Sequence, residues 1–274
     1  MIVHSYSLLG KRPSNEDAHV AIKNINKNKK NMRPINFFSV FDGHGGKAVS
    51  AYLKENYHKF FLSNYWTDDL NNSNLVKNYI KKVHNCIQGK LSNKNRNISY
   101  SIGSTCLSCM FYKDKNKKIN YYITNLGDCR AVLCNSSDQA VALTEDHKPN
   151  SIEERQRIEK LGGSVYYDHG VYRVANLSVS RAFGDIDATP FLTHIPKVKK
   201  FKLKKDKFMI LACDGLWDAL SNQQAVNFVL KKIKNLNVLG DNHSKNKNNI
   251  AKQLGEHAIN KGSYDNVSII IVFF

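Results

Sequence analysis

The stretch FFSVFDGHGG, at positions 37–46, decides how the rest of the chain is interpreted. Its first five residues form an apolar, strand-like run, and the carboxylate of Asp42 follows directly. A carboxylate at the mouth of a buried strand is costly unless it is paired or bound to a cation. A second stretch, FMILACDGLWD at positions 208–218, repeats the pattern: Asp214 follows an apolar run and Asp218 comes four residues later.

Two further acidic segments, NED at positions 15–17 and DN at 265–266, belong to the same argument. Few cationic residues lie near these four segments in the sequence, so together they suggest hard divalent metal ions held by oxygen ligands. The simpler interpretation is that each Asp-Gly pair is a turn. Two such pairs, each after an apolar run and each followed by more polar residues, favour the metal site.

Composition indicates a globular protein whose surface is basic. The chain has 274 residues, 42% of them hydrophobic, which is enough for one large core or two modest ones. Its 41 Lys and Arg against 23 Asp and Glu give a formal charge of +18, which raises nucleic acid or anionic membrane as partners. Most of the lysines are scattered among asparagines, and no basic motif interleaved with aromatics occurs. We therefore expect a solvated surface and no specific nucleic-acid partner.

The six cysteines lack the spacing of a disulfide framework. Cys106 and Cys109 form a CxxC pair, but their segment is predicted to be a strand, where an odd separation places two side chains on opposite faces. They are better interpreted as small core residues in a reducing compartment. No signal peptide and no apolar run of membrane-spanning length is present, so a cytoplasmic or nuclear protein without a membrane span is expected.

Hydrophobic periodicity predicts strands alternating with helices along one domain, residues 1–274. Strands are predicted at 2–9, 19–25 and 35–41, as a series between 105 and 143, and at 267–274; helices are predicted at 47–61, 75–91, 151–162, 221–234 and 250–260. Ser151 with Glu154, and Ser221 with Gln224, have the spacing of capping boxes. Lysine- and asparagine-rich loop insertions are expected near 26–34 and 235–249. Because a sheet must cover its apolar face, two packed sheets with helices outside are the expected architecture, with the acidic strand ends at one edge.

The order of the motifs is specific even though each alone is weak. They are GKRPSNED at 10–17, FDGHGG at 41–46, GST at 103–105, NLGDCR at 125–130, DHKP at 146–149, GG at 162–163, SRAFGD at 180–185, ACDGLWD at 212–218 and DNVS at 265–268. In this order they resemble the metal-dependent Ser/Thr protein phosphatases of type 2C, the PPM family. The resemblance covers nearly the whole chain.

The resemblance implies an α+β fold, a central antiparallel β-sandwich flanked by pairs of antiparallel α-helices in α-β-β-α layers. It implies two Mg²⁺ or Mn²⁺ ions, with a weaker third in some members, and hydrolysis of phosphoserine and phosphothreonine by a metal-bridging hydroxide. The implied partners are phosphoprotein substrates, and a monomer is expected.

The family's roles map onto ten positions. Among the metal ligands, Asp42 resembles the bridging carboxylate, with the Gly43 carbonyl beside it. The other implied ligands are Glu16 on one ion, Asp214 and Asp265 on the second, and Asp128 and Asp218 with Asp214 on the third. Arg12 matches the phosphate-binding arginine, His44 the proposed general acid, and Asp17 a carboxylate near metal-bound waters.

The chemistry is consistent with these residue types. A guanidinium fork binds two phosphate oxygens at once, and an imidazole can protonate a serine or threonine leaving group near neutral pH. Other interpretations remain open for four positions: Arg12 as a plain surface arginine, His44 as a structural histidine, and Asp128 and Asp218 as caps of turns or helices.

One segment departs from the family pattern. The stretch RVANL at positions 173–177 is one residue shorter than the family's Arg-Val-x-Gly-x-Leu and lacks its glycine, next to the region that forms a flap beside the active site. Two other functions remain as hypotheses. One is a pseudophosphatase that binds phosphoproteins; the other is a two-metal nuclease, suggested only by the basic charge.

Overall fold

The apolar segments pair into two five-stranded sheets in a computed structural model, which describes residues 1–27, 33–62, 70–235 and 249–274. The strands are β1 (Ile2–Leu8), β2 (Ala18–Ile22), β3 (Ile35–Phe41), β4 (Gly43–His44), β5 (Gly103–Ser104), β6 (Cys106–Lys113), β7 (Ile119–Leu126), β8 (Arg130–Cys134), β9 (Ala140–Ala142), β10 (Tyr166–Asp168), β11 (Val171–Arg173), β12 (Phe183–Gly184), β13 (Lys197–Lys202), β14 (Phe208–Ala212) and β15 (Val267–Phe273). The helices are α1 (Ala48–Asn56), α2 (Ser73–Lys94), α3 (Ile152–Lys160), α4 (Asp214–Trp217), α5 (Asn222–Asn235) and α6 (Ile250–Asn260).

Every pairing within the two large sheets is antiparallel. One sheet has the order β1-β15-β14-β8-β9, and the other has the order β13-β7-β6-β3-β2. In the first, β1 lies against β15 along its whole length, with Leu8 opposite Val267. The segment after β1 therefore meets the segment before β15, although they are far apart in the sequence.

Among the described residues, three apolar layers belong to the sandwich, one between the sheets and one on each outer face, and a smaller fourth cluster lies around Ile158 and Val174. Phe38, Leu211 and Ile270 belong to the cluster between the sheets. Helices α1 and α2 cover the outer face of the β3 sheet, with Leu53 and Ile80 among the buried residues. Helices α5 and α6 cover the outer face of the other sheet. This arrangement confirms the α+β fold class and the predicted layering of helices outside two packed sheets.

The period of two along β6 shows why the CxxC pair is not a metal or redox site. Cys106 faces the helices on the outer side of the sheet, whereas Cys109 lies between the two sheets. They lie on opposite faces of the sheet, as the odd spacing predicted, and both thiols are buried and free. Burial raises the pKa of the Cys106 thiol to about 12, and it raises the pKa of Cys109 as well, so both stay protonated and unreactive.

Local differences from the sequence predictions have physical causes. The helix predicted over 47–61 ends at Asn56 and continues as a 3₁₀ helix, Tyr57–Leu62. The capping box at Ser151 is wrong, because that side chain makes no cap hydrogen bond and instead donates to the Lys148 carbonyl at 2.9 Å. The box at Ser221 and Gln224 is confirmed by reciprocal bonds of 2.8 and 3.2 Å. The insertions expected near 26–34 and 235–249 lie largely outside the described residues.

Truncating a side chain between the sheets tests this packing. Ile270→Ala removes a fully buried side chain from the sandwich core, so we expect a loss of about 2–5 kcal/mol in the free energy of unfolding. Ile152→Ala is the matched control, because that side chain is 76% exposed and its removal is expected to change stability by less than about 0.5 kcal/mol. Urea unfolding of both variants in EDTA measures the difference; equal losses would contradict the assigned core.

Candidate metal centre

The acidic segments found in the sequence meet at one edge of the sandwich. In the β3 sheet, β3 ends at Phe41, opposite the first residue of β2, so Asp42 lies beside the segment that carries Asp17. In the other sheet, Ala212 at the end of β14 lies opposite Ile269 near the start of β15. Antiparallel pairing therefore brings the end of one strand and the start of its neighbour to the same edge.

Three carboxylates from three separate segments form the centre of this edge. Oxygen atoms of Asp42, Asp128 and Asp214 all lie within 4.8 Å of one another. Asp17 joins Asp42 and the Cys213 thiol in a second group of the same size. One carboxylate oxygen of Asp17, Oδ2, is buried and has no hydrogen-bond partner among the described residues.

Burial and mutual repulsion raise the pKa values of these carboxyl groups. Burial raises the pKa of Asp42 well above its ordinary value, and the charges of Asp214 and Asp17 raise it further. Burial and the charge of Asp128 likewise raise the pKa of Asp214, against the opposing effect of Lys148. Burial raises the pKa of Asp17 to about 6. Without a cation, the ionised cluster is therefore electrostatically unfavourable.

Neither Asp-Gly pair serves as a simple turn. Gly43 lies in the short strand β4 and Gly215 in the first turn of α4. A Cβ atom at Gly43 would overlap the Glu16 carbonyl oxygen, and one at Gly215 would overlap the Asn266 carbonyl oxygen. Glycine is required at both positions because neighbouring backbone passes directly over them, which brings the acidic segments together.

An open cavity of about 240 Å³ lies over the cluster. Of the ten predicted site residues, eight line it: Arg12, Glu16, Asp42, Gly43, His44, Asp128, Asp214 and Asp265. Asp17 lies beneath the cavity beside Asp42. Asp218 lines the adjoining cleft, which shares Arg12 and Asp265 with the cavity. The structure thus gathers nine positions around one cavity and places Asp218 at its border.

The two cationic candidates at the cavity are each paired with a carboxylate. Arg12 donates from Nη2 to Asp265 Oδ2 at 2.7 Å. His44 Nε2 lies 2.7 Å from Asp185 Oδ2, and the Asp185 side chain is buried. Burial lowers the pKa of the His44 imidazole, but the hydrogen bond and charge of Asp185 more than offset this, and the pKa is raised overall.

The shortened segment at 173–177 forms one wall of the cavity. Val174 and Leu177 bond each other through their backbones at 2.9 and 3.0 Å, and the two residues between them, Ala175 and Asn176, have φ angles of +46° and +68°. Left-handed backbone at two non-glycine residues is strained. Arg173, Asn176 and Leu177 all line the cavity, so this departure from the family pattern shapes the site directly.

Two residues at the site were missed by reasoning from the sequence. Asp185 lies in the SRAFGD motif and Lys148 in the DHKP motif; both motifs were recognised, but no role was assigned to either residue. Lys148 forms an ion pair with Asp128 and lies 4.0 Å from Asp214. The sequence provided little indication that Asp185 contacts His44, because the two residues are 141 positions apart.

The donor set fits a pair of hard divalent cations. Five carboxylates line the cavity: Glu16, Asp42, Asp128, Asp214 and Asp265. The other uncharged polar side chains of the lining offer hydroxyl or amide groups, and the one imidazole, His44, is already held by Asp185. Carboxylate oxygens and waters are the ligands that Mg²⁺ and Mn²⁺ prefer. A bound cation would give the unpaired Asp17 oxygen a nearby positive charge, and it would lower the raised pKa values of Asp42 and Asp214.

Two antiparallel sheets with five carboxylates lining a cavity at one edge are the arrangement that the resemblance to a metal-dependent phosphatase family implies. The protein phosphatase 2C family model matches residues 4–267. The chain therefore belongs to the protein phosphatase 2C family.

Relatives and solved structures agree with this membership. A PP2C-like domain-containing protein of Acanthamoeba polyphaga mimivirus is 40% identical over 182 residues, which are 59% of this chain and 98% of that protein. A probable protein phosphatase 2C of Oryza sativa subsp. japonica is 33% identical over 98% of this chain but only 64% of its own length. This chain thus spans less than two thirds of that rice relative.

Two solved structures show the same fold. A sex determining protein of C. elegans superimposes with a TM-score of 0.84 at 25% identity, over 99% of this chain and 64% of that chain. The serine-threonine phosphatase 2C from Toxoplasma gondii gives a TM-score of 0.81 at 24% identity, over 99% of this chain and 94% of that chain. Across the described ranges, every helix falls short of the length and apolarity needed to cross a bilayer.

Removing one charge from the cluster is expected to stabilise the metal-free protein. The pKa of Asp42 is higher in the folded than in the unfolded state, so the folded state binds more protons and loses stability as pH rises above about 4. In EDTA at pH 7, Asp42→Asn should raise the free energy of unfolding by roughly 1 kcal/mol or more. The gain should shrink toward pH 4. Denaturant melts across that pH range measure it, with Asp187→Asn, an exposed carboxylate, as control. A destabilised variant at pH 7 would refute the repulsion argument.

Proposed function

We propose that this protein hydrolyses phosphoserine and phosphothreonine in phosphoproteins, using Mg²⁺ or Mn²⁺. The observation that carries the proposal is the convergence of Asp42, Asp128 and Asp214 within 4.8 Å under a cavity that also contains Arg12 and His44. The family membership supports the same reaction. The cavity thus combines an anionic floor for cations with two groups suited to a phosphate ester.

The residues that would hold two cations are Asp42, Glu16 and the Gly43 carbonyl on one side, and Asp214 and Asp265 on the other. Two divalent ions bound there supply a water of lowered pKa as nucleophile and neutralise charge on the phosphate. The backbone of Asp42 is fixed from both sides, since its N–H donates to Thr105 Oγ1 at 3.1 Å and its carbonyl accepts from Thr105 N–H at 2.9 Å.

Arg12 is proposed to bind the phosphate. Its side chain is 55% exposed at the cavity, and a single hydrogen bond from Nη2 holds it to Asp265. The remaining guanidinium donors can therefore face a ligand in the cavity, and a guanidinium fork binds two phosphate oxygens at once. The charge of Asp265 also keeps this long side chain close to the metal centre, which reduces the entropy lost when phosphate binds.

His44 is proposed to protonate the leaving oxygen of serine or threonine. A poor alkoxide leaving group needs a proton, and an acid with a pKa near or above neutrality can provide it. Asp185 holds Nε2 of the ring at 2.7 Å, which leaves Nδ1 as the nitrogen for the substrate. Because its pKa is raised, the imidazolium form persists to a higher pH than that of a free histidine.

The wider assignments are proposals of the same kind. Residues 1–274 are proposed to form a single catalytic domain, since the sandwich core takes residues from both ends of the chain. Asp128 and Asp218 are proposed to hold a weaker third cation with Asp214. Six free cysteines fit a reducing compartment, the cytoplasm or nucleus. A monomer is proposed, and phosphoproteins are the expected partners.

The two other hypotheses gain no specific support. A pseudophosphatase is expected to have lost acidic ligands, whereas the predicted carboxylates converge on the cavity and its border. A nuclease was suggested only by the charge of +18. Family membership and the proposed phosphate arginine favour a monoester substrate.

Hydrolysis of phosphopeptides with and without divalent cations tests the function directly. We expect turnover in Mn²⁺ or Mg²⁺, none in EDTA, and loss of at least about nine tenths of the turnover in Asp42→Asn, since that carboxylate is shared by both proposed ions. A bis-aryl phosphodiester assayed in parallel should be hydrolysed poorly. Wild-type protein that binds phosphopeptide without releasing phosphate in saturating metal would instead establish the pseudophosphatase.

The general-acid role of His44 has its own signature. His44→Gln should reduce phosphoserine-peptide hydrolysis by roughly 10²–10⁴-fold, but p-nitrophenyl phosphate hydrolysis much less, because that leaving group hardly needs a proton. The conservative variant Asp185→Asn keeps the ring but removes the charge that raises its pKa, so its activity should begin to fall at a lower pH than in the wild type. Equal losses on both substrates would assign His44 to orienting the metal site.

A further inference from the structure

The DHKP segment is fixed against the turn that carries Asp128. Gly127 N–H donates to His147 Nδ1 at 3.1 Å, and His147 N–H donates to the Gly127 carbonyl at 3.0 Å. On its other side, the His147 carbonyl accepts from both the N–H and the Oγ of Ser180, each at 3.0 Å. Four hydrogen bonds therefore place Lys148, the next residue, beside Asp128.

The Lys148 ammonium lies among the carboxylates proposed for the third cation. It forms an ion pair with Asp128, whose side chain is only 2% exposed, and lies 4.0 Å from Asp214 Oδ2. Its charge also acts favourably on the ionised form of Asp218, more strongly than that of Arg130. One positive charge thus partly neutralises all three carboxylates of the proposed third site.

No other described cation is available for this role at Asp128. Arg130 is adjacent, but its guanidinium binds Asp146 through two hydrogen bonds of 2.6 and 3.1 Å and donates a third to Asn222 at 2.8 Å. Arg12 is held by Asp265. A buried carboxylate needs a partner, and within the described ranges Lys148 is the partner that Asp128 has.

We propose that the Lys148 ammonium is a built-in competitor for the third divalent cation. The ammonium pairs with the Asp128 carboxylate and lies 4.0 Å from Asp214. A divalent ion held by Asp128 and Asp214 would therefore need the same carboxylate as the ammonium and would be repelled by it. Binding of the divalent ion requires the ammonium to leave. The Lys148 side chain is 33% exposed, and its four-carbon stem can carry the charge to solvent.

This competition sets the metal concentration at which the third site fills. The tight pair of ions around Asp42 does not use Asp128 or Asp218 in the proposed assignment, so it does not compete with Lys148 for the Asp128 carboxylate. The inference rests on the proposed metal site, and it concerns cation binding, which is measurable independently of turnover.

Direct counting of bound Mn²⁺ tests the proposal, using the electron paramagnetic resonance signal of the free ion in a titration of the full chain. Lys148→Met should tighten the weakest class of Mn²⁺ sites by roughly tenfold or more, since a unit charge beside the ligands is removed. Lys148→Arg keeps the charge and should leave that class no tighter than in the wild type. Lys207→Met is the matched control: that lysine pairs with Asp138 at 2.5 Å, away from the cavity.

The double variant Lys148→Met/Asp128→Ala shows whether the effect acts through Asp128. The tighter Mn²⁺ binding should disappear in the double variant. Tighter binding that persists would overturn the proposal, as would a weakest class of sites that is unchanged or weaker in Lys148→Met.

If Lys148→Met fails to fold without metal, Lys148→Gln is used, because its amide can still donate to Asp128. The melting temperature gained on adding Mn²⁺ should then be larger for Lys148→Gln than for the wild type, and an equal or smaller gain would overturn the proposal.

The two proposals fail separately. A wild-type protein that releases no phosphate from phosphopeptides, while Lys148→Met binds Mn²⁺ more tightly, would overturn the phosphatase assignment and support the competitor. An active wild type with an unchanged weakest class in Lys148→Met would do the reverse.

Discussion

The repulsion among carboxylates at one end of the sandwich is the constraint on which the rest of the structure depends. Asp17, Asp42 and Asp214 all have raised pKa values because they are buried beside one another. Such a cluster destabilises a metal-free protein. The apolar layers between the sheets and under both helix pairs provide the opposing stability. A large, well-packed core is therefore a condition for a site of this kind.

The protein limits the repulsion with cations of its own. Arg12 is held by Asp265 at the exposed rim, and Lys148 is held by Asp128 at a buried position. Each pair joins a residue proposed for metal binding to a side chain long enough to move away. The unbound site is thus partly neutralised, while the Asp42 carboxylate at its centre remains unpaired by any described lysine or arginine.

A buried ionic network holds the segment that follows the wall formed by residues 173–177. Glu154 of α3 binds both Arg181 and Arg157 and accepts from Ser180 Oγ at 2.8 Å. Burial raises the pKa of Glu154, but these partners lower it to about 2 overall, so it stays ionised. The ionised Glu154 therefore ties α3 to Ser180 and Arg181, whereas Tyr167 on the β10–β11 hairpin is 65% exposed. Substrate preference is expected to depend on that exposed end.

The sequence by itself predicted the fold class, and it drew attention to Asp42 and Asp214, because an acidic residue directly after an apolar run is a local signal. The roles of the other proposed site residues came from the order of the motifs and the family that it resembles. The sequence did not predict β13, because this edge strand contains four lysines and lacks the apolar pattern of a buried strand. It also wrongly predicted that the Ser151 hydroxyl caps α3. Only the tertiary structure decided which charges meet: His44 with Asp185, 141 positions away, and Lys148 with Asp128, 20 positions away. Hydrophobic periodicity in the sequence predicts which face of an element a side chain occupies. Which charged side chains meet across the cavity depends instead on strand register and on the backbone contacts that hold each loop.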